Sequence, residues 1–338
     1  MKAIGAHHHL PVSRPDCLVE FDIEIPTPGV HDLLVKVMAV SINPVDAKVR
    51  KLLGETYLTS PRILGFDAAG TVVSMGSEVS GFTVGDEVYY SGDVTRAGSN
   101  AEYQTVDARL VGRKPKSYSF PESAALPLVV LTAWELLYEK MNIDLHGADR
   151  GKAILIINGA GGVGSALIPL ALAAGLEVIA TASRPESRAW CERLGAKHLI
   201  DHHRPLRPQA EALGFTSFPY IANLHNTESY WEATADLLAP LGTLGLIVET
   251  QNPIDIGNPF RLKSPRIVWE YMPARSRFQT TDMHRQGEIL AEIATRCDSG
   301  NFPKLHTRIL HGLTAQNLIA AHAAMESAST CGKWVLER

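Results

Sequence analysis

The apolar positions of this chain change their period about a third of the way along. Through the first third they form short β-branched runs at residues 33–40, 70–74, 87–90 and 101–106, punctuated by Gly, Pro and Asp. Runs of that length between turn formers predict an all-β domain, and the opening Met1-Lys2-Ala3-Ile4 is strand-like too. From about residue 120 the pattern becomes helical over 122–141, and after it apolar strands alternate with amphipathic helices. Residues 152–158 read as a buried strand, 162–174 as a helix, 176–181 as a second strand and 185–194 as a second helix. Strands at 198–200, 220–224 and 243–248 and a helix at 229–238 continue the series, which predicts parallel βαβ units. A last strand at 266–269, helices at 283–297 and 315–325 and a closing strand at 333–336 follow, and no internal repeat or low-complexity segment interrupts them.

Composition narrows the class. With 338 residues, 45% hydrophobic and 20% charged, the chain exceeds what one core organises, so two domains are expected. The net charge of −4, with scattered basic residues, argues against a nucleic-acid partner. No apolar run in the sequence reaches the roughly 18 to 20 residues that span a bilayer, and no basic leader precedes an apolar stretch, so neither a membrane nor export is expected and the reading is cytoplasmic. Cys17, Cys191, Cys297 and Cys331 are far apart and read as free thiols. In His7-His8-His9 an extended backbone alternates the side chains between faces, so the tract does not form a metal site.

The strongest chemical signal is Gly159-Ala160-Gly161-Gly162-Val163-Gly164, which follows the apolar run Ala153-Ile154-Leu155-Ile156-Ile157 and opens a helix. Glycines there let the backbone turn tightly and approach a pyrophosphate, whose charge meets the free N–H groups and positive end of the next helix. Gly159, Gly161, Gly162, Val163 and Gly164 are therefore cofactor-binding candidates. NAD binders place an acid about 20 residues further on for the ribose 2′-hydroxyl. Here the second strand ends Ala180-Thr181-Ala182-Ser183-Arg184. A hydroxyl and a guanidinium suit a 2′-phosphate, so NADPH is the expected cofactor. The bland alternative has Ser183 capping the helix that starts at Pro185 while Arg184 points to solvent; Glu186, just inside that helix, is the residue that counts against NADPH.

These residues, with Gly81-Phe82-Thr83-Val84-Gly85-Asp86-Glu87-Val88 and the terminal Gly332-Lys333-Trp334-Val335-Leu336, resemble the medium-chain dehydrogenase/reductase superfamily over nearly the whole chain. Asn43-Pro44-Val45-Asp46 and Asn100-Ala101-Glu102-Tyr103 are similar to its zinc-independent quinone oxidoreductase branch. Leu131-Thr132-Ala133-Trp134-Glu135 and the segment 269–278 look closest to a subgroup often labelled zinc-type alcohol dehydrogenase-like. The resemblance implies an α/β architecture: a GroES-like β-rich catalytic domain at 1–123, a doubly wound Rossmann domain at 124–270, and a segment 271–338 returning to the catalytic domain. It also implies a homodimer formed through the last Rossmann strand.

Zinc-dependent members need thiolate, imidazole or carboxylate ligands with one open position. By the resemblance, Asn43 stands where the first ligand is a cysteine, and Gly65-Phe66-Asp67 stands where Gly-His-Glu supplies the second. Phe66 binds no metal, and no cysteine lies between Cys17 and Cys191 to build a structural zinc lobe. No metal site is expected. Without a Lewis acid, alcohol oxidation is disfavoured, whereas quinones and α,β-unsaturated carbonyls are electrophilic enough to accept hydride.

Site roles follow from the same resemblance. Asn43 is expected beside the nicotinamide, orienting substrate or ribose, against a plain turn role before Pro44. Thr132 would contact the nicotinamide ribose or simply pack on the sheet. Asp46 and Lys333 would pair near the pyrophosphate, the alternative being a solvated surface pair. His202 would face the adenine or 2′-phosphate, and Val248, at the end of its strand, would line the cofactor. Tyr57 is a candidate proton donor, and Arg275 a candidate for holding a carbonyl oxygen or a phosphate, a domain-interface salt bridge being equally open. The acceptor is set by loops such as 52–61 and 93–99, which the sequence does not decode. Two rivals stand beside an NADPH-dependent quinone or enone reductase: a metal-dependent alcohol dehydrogenase, and a non-catalytic NADPH-binding protein.

Overall fold

The computed structural model describes residues 1–327 and 330–338. The chain forms two compact units, one of Met1–Leu131 with Pro273–Arg338 and one of Thr132–Met272. The chain thus changes unit after Leu131 and after Met272, rather than after 123 and 270.

The N-terminal part of the first unit runs β1 (Lys2–Ala6), β2 (Val19–Asp22), β3 (Asp32–Ser41), α1 (Pro44–Leu52), β4 (Arg62–Ile63), β5 (Asp67–Met75), β6 (Glu87–Ser91), β7 (Tyr103–Asp107), β8 (Val111–Arg113) and α2 (Phe120–Ala124), and the boundary at Leu131 falls inside α3 (Pro127–Trp134). Val35, Val37, Val40, Val72, Val88 and Leu110 form its core. β3 is buried along nearly its whole length because it pairs with both β5 and β7. A π-helical stretch, Glu135–Lys140, extends the helical run. One expectation needs correcting here: Phe120–Lys140 is long and apolar enough to cross a membrane by length and composition. Its scattered Glu and Lys residues hid this in the linear sequence, and 83% of its apolar window is buried in the protein.

The second unit contains β9 (Ala153–Ile157), α4 (Gly162–Ala173), β10 (Glu177–Thr181), α5 (Pro185–Arg193), β11 (His198–Ile200), α6 (Leu206–Ala212), β12 (Phe218–Asn223), α7 (Trp231–Leu237), β13 (Leu238–Leu246), α8 (Gly257–Arg261) and β14 (Arg266–Trp269). Its six strands pair in parallel in the order β11-β10-β9-β12-β13-β14. This is the doubly wound sheet with its switch point beside β9, so the loops after β9, β10, β11 and β12 share one edge. β9 is wholly buried, as its unbroken apolar run predicts.

The chain then returns to the first unit with α9 (Ala274–Phe278), α10 (Arg285–Asp298), β15 (His306–His311), α11 (Ala315–Glu326) and β16 (Lys333–Glu337). β16 lies between β15 and β3, with Val335 opposite Ser41, in a sheet of order β15-β16-β3-β5-β6-β8. That pairing brings Lys333, the first residue of the last strand, beside the start of α1.

Candidate functional site

In the second unit the turn after β9 is made by Asn158, at φ 69, and not by a glycine. Asn tolerates the left-handed region better than other side-chain-bearing residues. The turn is tied to the end of β10: Asn158 N–H donates to Thr181 Oγ1 at 2.9 Å and Gly159 N–H to the Thr181 carbonyl at 3.2 Å. The glycines serve close approach instead. A Cβ on Gly159 would sit 2.7 Å from Ala180 Cβ, and one on Gly164 would sit 2.4 Å from the Asn158 carbonyl oxygen. α4 then begins with Gly161 as N-cap, with no side chain capping it and no acid in its first turn. The uncapped N–H groups and the absence of a competing carboxylate fit a pyrophosphate.

Ser183 and Arg184 follow β10, both half-buried. Ser183 does not cap α5. Arg184 is the N-cap residue, and Ser187 Oγ accepts from its N–H at 3.1 Å and donates to its carbonyl at 2.9 Å. Glu186 is exposed in the first turn of that helix. After β11, His202 is half-buried with Nδ1 lacking a hydrogen-bond partner, and its ring lies 4.3 Å from that of His203. Burial pushes its imidazole below the ordinary value, helped by the charges of His203, His225 and Arg184 and opposed by Asp201. Val248 lies just beyond β13, its carbonyl accepting from Thr227 Oγ1 at 2.6 Å. Thr132 is buried at the far end of α3.

In the first unit the sequence candidates gather around Asp67. Its Oδ2 accepts from Ser41 Oγ at 2.7 Å, Asn43 Nδ2 at 2.8 Å and Lys333 Nζ at 3.2 Å, while Oδ1 accepts from the Leu128 N–H at 2.7 Å. Lys333 Nζ also donates to Asn43 Oδ1 and to the Ile42 carbonyl at 2.9 Å. Asp46 Oδ2 accepts from the Asn43 N–H at 2.7 Å. Asn43, Asp46 and Asp67 are fully buried and Lys333 is 3% exposed, so Asp46 and Lys333 are no solvated surface pair. Lys333 Nζ and Asp46 Oδ2 are engaged inside this unit, while Asp46 Oδ1 is buried without a hydrogen-bond partner. Burial raises the Asp46 carboxyl to about 7, and burial lowers Lys333 against the pull of Asp67 and Asp46. Asn43 is both the turn residue that opens α1 and a side chain held at both ends of its amide.

Tyr57 and Arg275 stand apart from this network. Tyr57 is 62% exposed and stacks on His7 with ring centroids 4.3 Å apart. Arg275 donates from Nε to Asp282 at 3.0 Å, a pair within the first unit. Sequence reasoning missed Ser41 and the central role of Asp67, and it credited the turn to a glycine where Asn158 makes it. The signal for Asp67 was present: it is the residue after Phe66 in the place of an expected ligand.

Comparison with known proteins gives the family. Residues 29–116 match the alcohol dehydrogenase GroES-like domain and residues 162–285 the zinc-binding dehydrogenase domain. A zinc-type alcohol dehydrogenase-like protein of Staphylococcus aureus (strain MSSA476) is 38% identical over 337 residues, 99% of each chain. This chain belongs to the medium-chain dehydrogenase/reductase superfamily. A provisionally named zinc-dependent alcohol dehydrogenase from Rhizobium etli CFN 42 superposes with a TM-score of 0.94 at 40% identity, covering 100% of this chain and 98% of that one. The 2-methylene-furan-3-one reductase of Solanum lycopersicum is 39% identical over 196 residues, 54% of this chain and 48% of its own. The protein is an oxidoreductase of this superfamily.

Three of these names carry zinc, and the residues here do not fit it. Both oxygens of Asp67 accept hydrogen bonds from protein donors, Phe66 offers no donor atom, and the Lys333 ammonium next to Asp67 and Asn43 would repel a dication. Among the described residues no group of three or more His, Cys, Asp or Glu side chains is placed to hold a metal ion.

Proposed function

We propose that this protein is a zinc-free reductase that uses NADPH to deliver hydride to a quinone or an α,β-unsaturated carbonyl. The observation that carries the reading is the closed Asn43–Asp67–Lys333 arrangement, in which an ammonium occupies the region where a metal-dependent relative needs open ligands. Without a metal to acidify an alcohol, an acceptor that is electrophilic on its own is the suitable partner. The tomato relative is by name a reductase of such an enone.

The dinucleotide, when bound, supplies the hydride. The chain's own contribution is binding and orientation. The uncapped first turn of α4 takes the pyrophosphate, with Gly159, Gly161, Gly162, Val163 and Gly164 forming the turn and helix start that meet it. Ser183 and Arg184 take the 2′-phosphate, the guanidinium being suited to its oxygens. Asn43 is the orienting group; an amide does not titrate, so it acts by hydrogen bonding and shape. Lys333, Asp67 and Ser41 hold that amide in one orientation, and Asp46 fixes the backbone beneath it.

The test is a plate screen of NADPH oxidation against quinones, alkenals, cyclic enones and aldehydes, run beside NADP⁺ reduction by primary and secondary alcohols, each with and without chelator. Turnover with quinones or enones that chelator leaves unchanged is expected. Alcohol oxidation abolished by chelator would overturn the proposal, as would NADPH that binds and is consumed by no acceptor.

A further inference from the structure

Three histidines, His202, His203 and His225, lie in loops at the sheet edge that carries the glycine turn. His202 and His203 follow β11, Arg184 follows β10 and His225 follows β12, the strands that flank β9 on both sides. His202 and His203 stand ring to ring at 4.3 Å, and His202 keeps a buried Nδ1 that no protein group satisfies. His203 and His225 are exposed. Of the acids after these strands, Asp201 Oδ1 accepts from the His203 N–H at 2.9 Å and its Oδ2 lies 3.6 Å from Arg204 Nε, Glu228 accepts from the Asn252 N–H at 2.8 Å, and Glu186 is exposed in the first turn of α5. Arg188 donates to the Ala182 carbonyl at 3.2 Å. The edge therefore carries Arg184 and three imidazoles beside the carboxylates of Asp201, Glu186 and Glu228.

We propose that Arg184, His202, His203 and His225 form a protonatable clamp for the cofactor's 2′-phosphate, so that preference for NADPH over NADH strengthens as pH falls. The proposal rests on the reading of this edge as the dinucleotide site. Arg184 supplies a charge that does not titrate, and the imidazoles supply charge only when protonated. In the free protein His202 is disfavoured as a cation by burial and by Arg184, His203 and His225, with Asp201 acting the other way. A phosphate dianion reverses that balance, so binding NADPH takes up a proton whereas binding NADH does not. Affinity for NADPH then rises as pH falls through the window between the free and bound imidazole values.

The experiment measures dissociation constants for NADPH and NADH at pH 8.5, 7.5 and 6.5 and constant ionic strength, staying above the second phosphate ionisation near 6. Wild type is compared with the triple variant His202→Gln, His203→Gln, His225→Gln. The ratio of NADH to NADPH dissociation constants is expected to rise roughly tenfold from pH 8.5 to 6.5 in wild type, below the limit of tenfold per unit for one proton, and to stay flat in the variant. Calorimetry of the wild type in buffers of different ionisation enthalpy gives a second readout: net proton uptake with NADPH and none with NADH. A flat ratio in wild type, an equal rise in the variant, or equal uptake with both cofactors overturns the clamp. NADH binding more tightly at every pH, with the ratio still histidine-dependent, would instead sink the choice of NADPH and leave the clamp standing.

Discussion

Acid should weaken the first unit through one buried histidine. Arg50, at the end of α1, is fully buried and donates from Nη2 to Glu326 at 2.5 Å, while its Nη1 lies 3.2 Å from His322 Nδ1 on α11. Since arginine is always protonated and only donates, Nδ1 must accept, which leaves the proton of the neutral ring on Nε2. Protonating Nδ1 would remove that bond and set two cations together in the core. Burial, with Arg50 behind it, accordingly lowers the His322 imidazole to about 3. In the unfolded chain it returns to about 6.5. The folded value lies below the unfolded one, so the unfolded state binds more protons between them; the contribution is complete above 6.5 and is lost as pH falls through the window. At pH 5 the loss from this one group is RT ln(1 + 10^1.5), about 2 kcal/mol. Other groups titrate in the same range, so the clean comparison is with His322→Asn, whose Oδ1 can accept from Arg50 and cannot be protonated there. Urea unfolding at pH 7.5 and 5.0 should show wild type losing about 2 kcal/mol more than the variant over that interval. Parallel losses would refute the assignment, whatever the variant's absolute stability.

Four further outcomes are expected. Arg184→Ala should weaken NADPH by roughly 1–3 kcal/mol and leave NADH nearly unchanged in a fluorescence titration; equal losses would remove Arg184 from phosphate recognition. Elemental analysis of the purified protein should find well under one zinc per chain, and about one zinc, with activity lost on its removal, would contradict the donor set described. Asn43→Ala should slow single-turnover hydride transfer by roughly 10²-fold, by analogy with loss of one oxyanion donor, while NADPH affinity stays within a few fold. An unchanged rate would make Asn43 a turn residue only. A homodimer pairing through β14, the edge strand of its sheet with Trp269 45% exposed, should appear in sedimentation; a monomer mass at all concentrations would exclude it.

The Rossmann unit was the more legible half. An unbroken apolar run such as β9 has few alternatives to a central parallel strand, and the glycine motif declares its own context. α1 was missed because Pro44–Leu52 interleaves four charged residues with its apolar ones and buries only Ala47 among the latter, along with Asp46 and Arg50. β15 was missed because its half-exposed positions show no alternation. The Asp67 network was illegible for a different reason. Charged residues belong by default to the surface, and only the pairing of β16 with β3 brings Lys333 to Asn43 across 290 residues. Asn158 escaped because a glycine-rich stretch invites the assumption that a glycine makes the turn.

The same long-range pairing fixes the order in which the protein can be completed on the ribosome. Thr132–Met272 is contiguous and can close as soon as it emerges, but the first unit lacks β16, an inner strand of its largest sheet, until residues 333–337 are made. At roughly 5–20 residues per second, about a quarter of a minute to a minute separates synthesis of Asn43 from that of Lys333. Throughout that interval Asp67 can have Ser41, Asn43 and the Leu128 N–H but not its ammonium. A chain stopped before Lys333 would therefore carry an intact nucleotide fold attached to a half with a buried carboxylate lacking its counter-charge and an open strand edge, a nascent species suited to chaperone capture rather than to catalysis.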